Sequence, residues 1–275
     1  MLNNNRFKST FTKIKNTKIH YILKKKKSNG ASFSIVFLCG YKSDVFGKKA
    51  LYIDKLQENM GFEYLRFDYS GHGFSEGRIE NRTLTNWLDE SLNLINKKTK
   101  YPLILIGSSM GGWLSLVLGK KLTGKLAGII GIATAPDFTS NILKNLSKEK
   151  LAQYKKDKFV RLKSEYNKNG YTFSENFIKD SEKYFVLKKK IYLKSKVILL
   201  YGKNDKSVNF SSQIKLIELI NSKETSLIIS DKSDHRMSSK SDLLLLKENI
   251  HERMVPKTLH QESLMLRRIL LVPIS

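Results

Sequence analysis

Residues 103–118 read LILIGSSMGGWLSLVL, and this stretch decides the fold. Its first four residues are an apolar run whose length suits a strand buried on both faces. The next five, 107–111, have the form Gly-x-Ser-x-Gly and precede an apolar helical pattern. A strand, a sharp turn and a helix together predict a nucleophile elbow, with Ser109 in a strained backbone conformation at its apex.

The motif alone leaves an alternative open. Gly-x-Ser-x-Gly also arises by chance in glycine-rich turns that carry a solvated serine. Ser108 is the neighbour that could be mistaken for the nucleophile, but only Ser109 has the elbow spacing. The rest of the chain must decide between these interpretations.

Length and cysteine content limit the class of protein. The 275 residues suffice for one domain with an insertion or for two small domains. No apolar run approaches the ~20 residues that a membrane-spanning helix needs. Cys39, the single cysteine, rules out an intramolecular disulfide and fits a reducing compartment, which predicts a cytoplasmic protein. Residues 1–43 contain no acidic residue, as in a transit peptide, so a mitochondrial location is the alternative.

The net charge of +25 raises the possibility of binding to nucleic acid or to an anionic membrane surface. The basic residues are 41 lysines and nine arginines, and the lysines are spread over the whole chain. Phosphate forks and base edges favour arginine. We therefore expect no nucleic-acid partner, and a basic surface-binding protein remains an alternative function.

Strand and helix patterns alternate along most of the chain. Strands are expected at 18–23, 34–39, 62–67, 103–106, 127–133, 196–201 and 225–229. The first two flank a Ser28-Asn29-Gly30 turn and are interpreted as a hairpin. Such alternation predicts the α/β class, with a mostly parallel central sheet flanked by helices. The expected domain spans 17–253, with a basic N-terminal arm at 1–16 and a C-terminal tail at 254–275 that receives no functional interpretation.

The alternation breaks at 137–194, which is rich in Lys, Tyr and Phe. Asn169-Gly170 is a hairpin signal, and Ser174 suits the N-cap of a helix that runs to Leu187. This segment is interpreted as a cap inserted over the sheet edge. Its aromatic residues predict a largely apolar pocket face, although a small polar pocket for short or sugar-linked acyl groups stays open. No substrate-binding residue is assigned.

Catalytic groups of such sheets lie at the carboxyl ends of the strands. Ser109, Asp205 and His235 each follow a predicted strand, in the chain order of a Ser-Asp-His triad. His235 would take the proton of Ser109, and Asp205 would orient the imidazole. Asp231 and Asp234 are rival acids, but Asp205 has the expected place. His72 is interpreted as structural. No metal and no cofactor are expected.

Five motifs carry a resemblance to the α/β-hydrolase superfamily that covers about residues 17–253. They lie at residues 40–44, 67–73, 107–113, 201–205 and 234–238. Within that superfamily the chain resembles the branch that contains a mitochondrial palmitoyl-protein thioesterase and acyl-glucuronide esterase. The resemblance implies an oxyanion hole formed by the backbone N–H groups of Tyr41 and Met110. Relatives usually have His-Gly where this chain has Cys39-Gly40.

The sequence thus predicts a serine hydrolase that cleaves carboxylic esters or thioesters through an acyl-enzyme. The expected partner is a small-molecule or acyl-protein ester. A non-catalytic protein with the same fold is the alternative from another class, because fold does not fix function.

Overall fold

The computed structural model describes residues 10–165, 169–254 and 266–272, with side chains described up to residue 251. Residues 1–9 of the predicted arm and much of the predicted tail lie outside these ranges. The regular elements, in chain order, are β1 Thr10–Ile14, β2 Thr17–Lys24, β3 Ser34–Leu38, α1 Lys48–Met60, β4 Glu63–Phe67, α2 Leu84–Lys98, β5 Leu103–Ser108, α3 Met110–Lys121, β6 Leu126–Ile132, α4 Lys148–Asp157, β7 Phe159–Leu162, β8 Tyr171–Ser174, α5 Glu175–Ser181, β9 Ile191–Tyr192, β10 Lys196–Gly202, α6 Phe210–Leu219, β11 Ile220–Asn221, β12 Glu224–Ser230, α7 Lys240–Glu248 and β13 Leu266–Val272. Short 3₁₀ helices lie at Ile79–Asn81, Phe138–Asn141, Leu143–Asn145 and Glu182–Tyr184, and a π-helix at Asn249–Met254.

One large sheet organises the described chain. Its strand order is β1-β2-β4-β3-β5-β6-β10-β12-β13. The pairs β1–β2 and β2–β4 are antiparallel, and all other pairs of this sheet are parallel. The predicted α/β class with a mostly parallel central sheet is therefore confirmed.

The sheet centres on β5, whose six residues are all buried. A strand can be apolar on both faces only where helices cover both sides of the sheet. Helix α3 packs against β5, and ten of its twelve residues are buried. This double burial explains the continuous apolar run at 103–106.

The N-terminal strands pair differently from the prediction. Strands β2 and β3 do not form a hairpin, because β4 lies between them and pairs with both. Residues Thr10–Ile14 of the predicted arm form β1 and pair with β2, so the sheet begins before residue 17. At the other edge, Leu266–Val272 of the predicted tail adds β13 alongside β12.

Between β6 and β10 lies the predicted cap. Strands β7 and β8 pair as an antiparallel hairpin, which we call the cap hairpin. The hydroxyl of Ser174 accepts a hydrogen bond from the Phe177 N–H and caps α5. That helix ends at Ser181 and not at Leu187, because the Asp137 carboxylate accepts the backbone N–H groups of Val186 and Leu187, at 2.8 Å each. The same carboxylate ties the beginning of the cap to its end.

Candidate active site

The backbone at Ser109 forms a sharp elbow between β5 and α3. Ser109 has φ 53° and ψ −115°, a region that residues with side chains rarely occupy. The residues two positions before and after it must be glycines. A Cβ on Gly107 would lie 2.1 Å from the Gly111 carbonyl oxygen, and one on Gly111 would lie 2.0 Å from the Leu38 carbonyl oxygen. The glycine spacing is thus a packing requirement of this turn.

Asp205 and His235 reach Ser109 from the two loops that follow β10 and β12. These strands are parallel neighbours, so both loops open at the same sheet edge. Asp205 Oδ2 lies 2.8 Å from His235 Nδ1, and His235 Nε2 lies 3.1 Å from Ser109 Oγ. The three side chains predicted from the sequence form one continuous chain of hydrogen bonds.

The Asp205 carboxylate is fixed in place. Its side chain is buried, and Oδ1 accepts the backbone N–H groups of Ser207 and Val208, at 2.8 and 2.9 Å. Oδ2 remains for the imidazole, and an acceptor at Nδ1 selects the tautomer whose Nε2 can accept a proton. The arrangement can therefore activate the Ser109 hydroxyl.

The rival acids bond elsewhere. Asp231 Oδ1 lies 3.2 Å from Lys203 Nζ in an exposed ion pair. Asp234 Oδ1 accepts the backbone N–H groups of Arg236 and Met237, at 2.9 and 3.2 Å, and so shapes the turn after His235. Ser108, the rival serine, is the last residue of β5.

Residues 40–44 follow β3 and form a segment that we call the oxyanion loop. A Cβ on Gly40 would lie 3.4 Å from the Ser108 carbonyl oxygen and 3.5 Å from Ser109 Cβ, so this loop packs directly on the elbow. Tyr41 and Met110, the predicted oxyanion residues, both line the same cavity as Ser109. Met110 begins α3, where backbone N–H groups have no partner within the helix.

The oxyanion loop is bonded to the cap hairpin, which the sequence analysis missed. The Tyr41 hydroxyl donates to the Thr172 carbonyl oxygen, and Lys42 Nζ donates to the Gly170 carbonyl oxygen at 3.1 Å. The Tyr41 ring also lies 5.0 Å from the Phe173 ring, between centroids. The Asn169-Gly170 pair predicted the hairpin, but no local sequence pattern indicates that the hairpin contacts the oxyanion loop.

His72 lies behind this loop as expected of a structural residue. Its ring is 3% exposed and packs edge-on against Tyr41, Tyr69 and Trp87, at centroid distances of 6.0, 5.4 and 5.0 Å. Burial lowers the pKa of His72 to about 4, so its imidazole is neutral at neutral pH.

A cavity of about 730 Å³ surrounds Ser109 and His235. The cap contributes a largely apolar wall, made of Phe138, Ile142, Leu162, Tyr171 and Phe173. Lys49, another lining residue that the sequence analysis missed, donates from Nζ to the Arg236 carbonyl oxygen at 2.5 Å and to Ser238 Oγ at 3.2 Å. Through these two hydrogen bonds Lys49 holds the turn that carries His235. Burial lowers the pKa of Lys49 to about 8.

The fold has counterparts among known proteins. Residues 33–184, more than half of the chain, match the hydrolase family described as serine aminopeptidase, S33. The chain belongs to this family of α/β-hydrolases. It is 34% identical to the mitochondrial palmitoyl-protein thioesterase ABHD10 of Homo sapiens over 228 residues, which cover 82% of this chain and 74% of the human protein.

Solved structures agree with this assignment. Mouse α/β-hydrolase domain-containing protein 10 superimposes on this α/β-hydrolase with a TM-score of 0.80 and 31% identity, covering 88% of this chain and 96% of the mouse chain. Est1E of Butyrivibrio proteoclasticus, in a structure with bound ferulic acid, has a TM-score of 0.71 and 18% identity, covering 89% of this chain and 97% of the Est1E chain. At this identity the likeness shows the fold alone. The chain is therefore a hydrolase of the serine esterase or thioesterase type. None of the helices in the described ranges is long and apolar enough to cross a membrane.

Proposed function

We propose that this protein hydrolyses carboxylic esters or thioesters, with Ser109 as nucleophile, His235 as general base and Asp205 as the acid that orients the imidazole. The observation that carries the proposal is the hydrogen-bonded chain from Asp205 through His235 to Ser109, at 2.8 and 3.1 Å. These distances lie within the reach that proton transfer requires.

The proposed reaction has two halves. Neutral His235 takes the proton of Ser109 as Oγ attacks the carbonyl carbon, and the backbone N–H groups of Tyr41 and Met110 bind the oxyanion that develops. The tetrahedral intermediate collapses, the bond to the leaving oxygen or sulfur breaks, and His235 protonates the leaving group. Water, deprotonated by His235, then attacks the acyl-enzyme and releases the carboxylic acid. The scheme uses neither metal nor cofactor.

The acyl group of the substrate is proposed to be medium to long. The apolar wall of the cap faces the cavity that holds Ser109, and each buried methylene adds about 0.8 kcal/mol to binding. The name of the human relative, a palmitoyl-protein thioesterase, points the same way. Small-molecule esters and acylated proteins both satisfy this description. A small polar pocket remains the alternative.

A panel of p-nitrophenyl and coenzyme A esters of increasing chain length tests this proposal. We expect kcat/KM to rise from acetyl towards octanoyl and longer esters, and the corresponding amides to be poor substrates. A steady fall beyond butyryl would contradict the apolar acyl pocket and favour the small polar one.

A non-catalytic protein with this fold is the second candidate. A fluorophosphonate probe separates the two, because it modifies only an activated serine. We expect one adduct per chain in intact-mass spectra of the wild-type protein and none in the Ser109→Ala variant. An unmodified wild-type protein would favour the binding function.

The proposed location is the mitochondrion. The human relative is a mitochondrial protein by name, which favours this alternative over the cytoplasmic prediction. A fluorescent-protein fusion at the C-terminus tests it, and a purely cytosolic signal would contradict it.

A further inference from the structure

Charge is distributed unevenly around the cavity that holds Ser109. Six basic side chains and one acidic side chain, that of Glu165, are among the described residues that line it. The basic ones are Lys42, Lys48, Lys49, Lys163, Lys206 and Arg236. The whole chain has 50 basic and 25 acidic residues, a ratio of two to one. The cavity is therefore more basic than the protein as a whole.

The six cations come from five separate segments. These segments are the oxyanion loop, the first turn of α1, the residue after β7 and the loops that carry Asp205 and His235. A solvated helix face would place its charges on one element, whereas these converge from different sides of one concavity. A cleft lined by one sign of charge concentrates ligands of the opposite sign.

Apolar and basic walls lie on different parts of the structure. The aromatic and aliphatic lining at Phe138, Ile142 and Phe173 belongs to the cap. Five of the six cations lie outside the cap, in the oxyanion loop, the first turn of α1 and the loops that carry Asp205 and His235. Ser109 lines the same cavity. A substrate whose acyl chain contacts the cap would direct its leaving group towards the basic wall.

We propose that this site takes acyl thioesters or esters whose leaving group carries two or more negative charges on phosphate. The inference rests on the proposed function and specifies the leaving group of that same reaction. One carboxylate engages one or two cations, whereas a phosphate monoester carries nearly two charges and three acceptor oxygens. Lysine binds phosphate as a compact point charge. The bond that breaks is the acyl–sulfur or acyl–oxygen bond, and the leaving group departs with the proton from His235.

A series of three octanoyl thioesters tests the inference, because the reacting atoms are identical in all of them. Octanoyl-pantetheine carries no phosphate, octanoyl-4′-phosphopantetheine carries one, and octanoyl-coenzyme A carries three. We expect kcat/KM to rise at least tenfold across the series at low ionic strength, and most of the gain to disappear at ~0.5 M salt. A gain complete at phosphopantetheine would indicate that one phosphate monoester satisfies the basic wall, and a further gain with coenzyme A would indicate that the additional phosphates are bound as well.

Variants locate the effect. Lys48→Gln and Lys206→Gln remove exposed cations of the basic wall, and each is expected to reduce the ratio of kcat/KM for octanoyl-coenzyme A over octanoyl-pantetheine by threefold or more. Lys120→Gln is the matched control, because Lys120 lies near the C-terminal end of α3, far from the elbow. It should leave the ratio unchanged.

Each contrary result has a distinct meaning. A flat or falling series in an enzyme that cleaves octanoyl-pantetheine would overturn the anionic leaving group and leave the proposed function standing. An equal gain with octanoyl-mercaptosuccinate, whose two charges are carboxylates, would overturn the assignment to phosphate. Failure to cleave any ester or thioester, together with absence of fluorophosphonate labelling, would overturn both proposals.

Discussion

The hydroxyl of Tyr41 donates a hydrogen bond to the carbonyl oxygen of Thr172, and so joins the oxyanion loop to the cap hairpin. Lys42 makes a second link from the next position, to the Gly170 carbonyl oxygen. The backbone N–H of Tyr41 is one of the two proposed oxyanion donors. The cap therefore contacts the proposed catalytic site through the same residue that would stabilise the transition state.

Removal of this hydroxyl should slow catalysis without weakening substrate binding. For Tyr41→Phe we expect kcat to fall about threefold to tenfold with KM nearly unchanged, because loss of a hydrogen bond worth ~1 kcal/mol loosens the donor. Steady-state kinetics measures both. Tyr64→Phe is the matched control, since the buried Tyr64 hydroxyl donates to the Ala50 carbonyl oxygen at 3.0 Å, away from the cavity. Equal kcat in the two variants would disprove the link.

Asp205→Asn should leave the fold intact and remove most of the activity. An amide nitrogen facing Nδ1 favours the wrong imidazole tautomer, and we expect kcat to fall by about 10⁴. Asp231→Asn provides the control, because Asp231 pairs with Lys203 at the surface. If Asp231→Asn were the more damaging change, the assignment of the acid would be wrong.

Acid should destabilise the protein through His72. Its pKa is lowered to about 4 in the folded protein, against ~6.5 in an unfolded chain, so the unfolded state binds more protons between these values. The contribution of neutral His72 to the free energy of unfolding is therefore fully present well above pH 6.5, and it declines as the pH falls below that value. We expect this group to remove about 2 kcal/mol of the free energy of unfolding between pH 7 and pH 5.

Urea denaturation of the wild-type protein and a His72→Phe variant at both pH values measures this contribution. The variant keeps an aromatic ring beside Trp87 and lacks the titrating group. Its loss of stability between pH 7 and pH 5 should be smaller by about 2 kcal/mol. Equal losses would mean that the pKa of His72 is not lowered in the folded protein.

Gly111→Ala should prevent formation of the elbow. The added Cβ would lie 2.0 Å from the Leu38 carbonyl oxygen, which belongs to β3 and cannot move aside. We expect a loss of about 3 kcal/mol or more in the free energy of unfolding, or no soluble protein. In Gly124→Ala the new methyl would have no heavy atom within 4 Å, so this variant should retain wild-type stability and activity. Thermal denaturation separates the two.

Sequence alone predicted the parallel strands and the three candidate catalytic residues. Apolar runs such as 103–106 show where strands buried on both faces lie, and Ser109, Asp205 and His235 each follow one. Strand β1 was missed, because only one of its five residues, Ile14, is buried and its pattern resembles a polar arm. The order β2-β4-β3 was also missed, because pairing of distant strands depends on packing that local patterns do not encode.

The cavity was harder to predict than the hydrogen-bonded chain. Lys49 looks like any of the 41 lysines until the structure places it against the turn that carries His235. Likewise, nothing around Tyr41 indicates that its hydroxyl meets Thr172. Both contacts join segments that are far apart in the chain, so they depend on how the cap docks.

The central claim is that Ser109 is the nucleophile, and the turnover number of purified Ser109→Ala on an octanoyl ester tests it most directly. The account predicts that kcat falls by about 10⁴ to 10⁶ relative to the wild type, while Ser108→Ala remains measurably active. Near-normal turnover by Ser109→Ala would contradict the account.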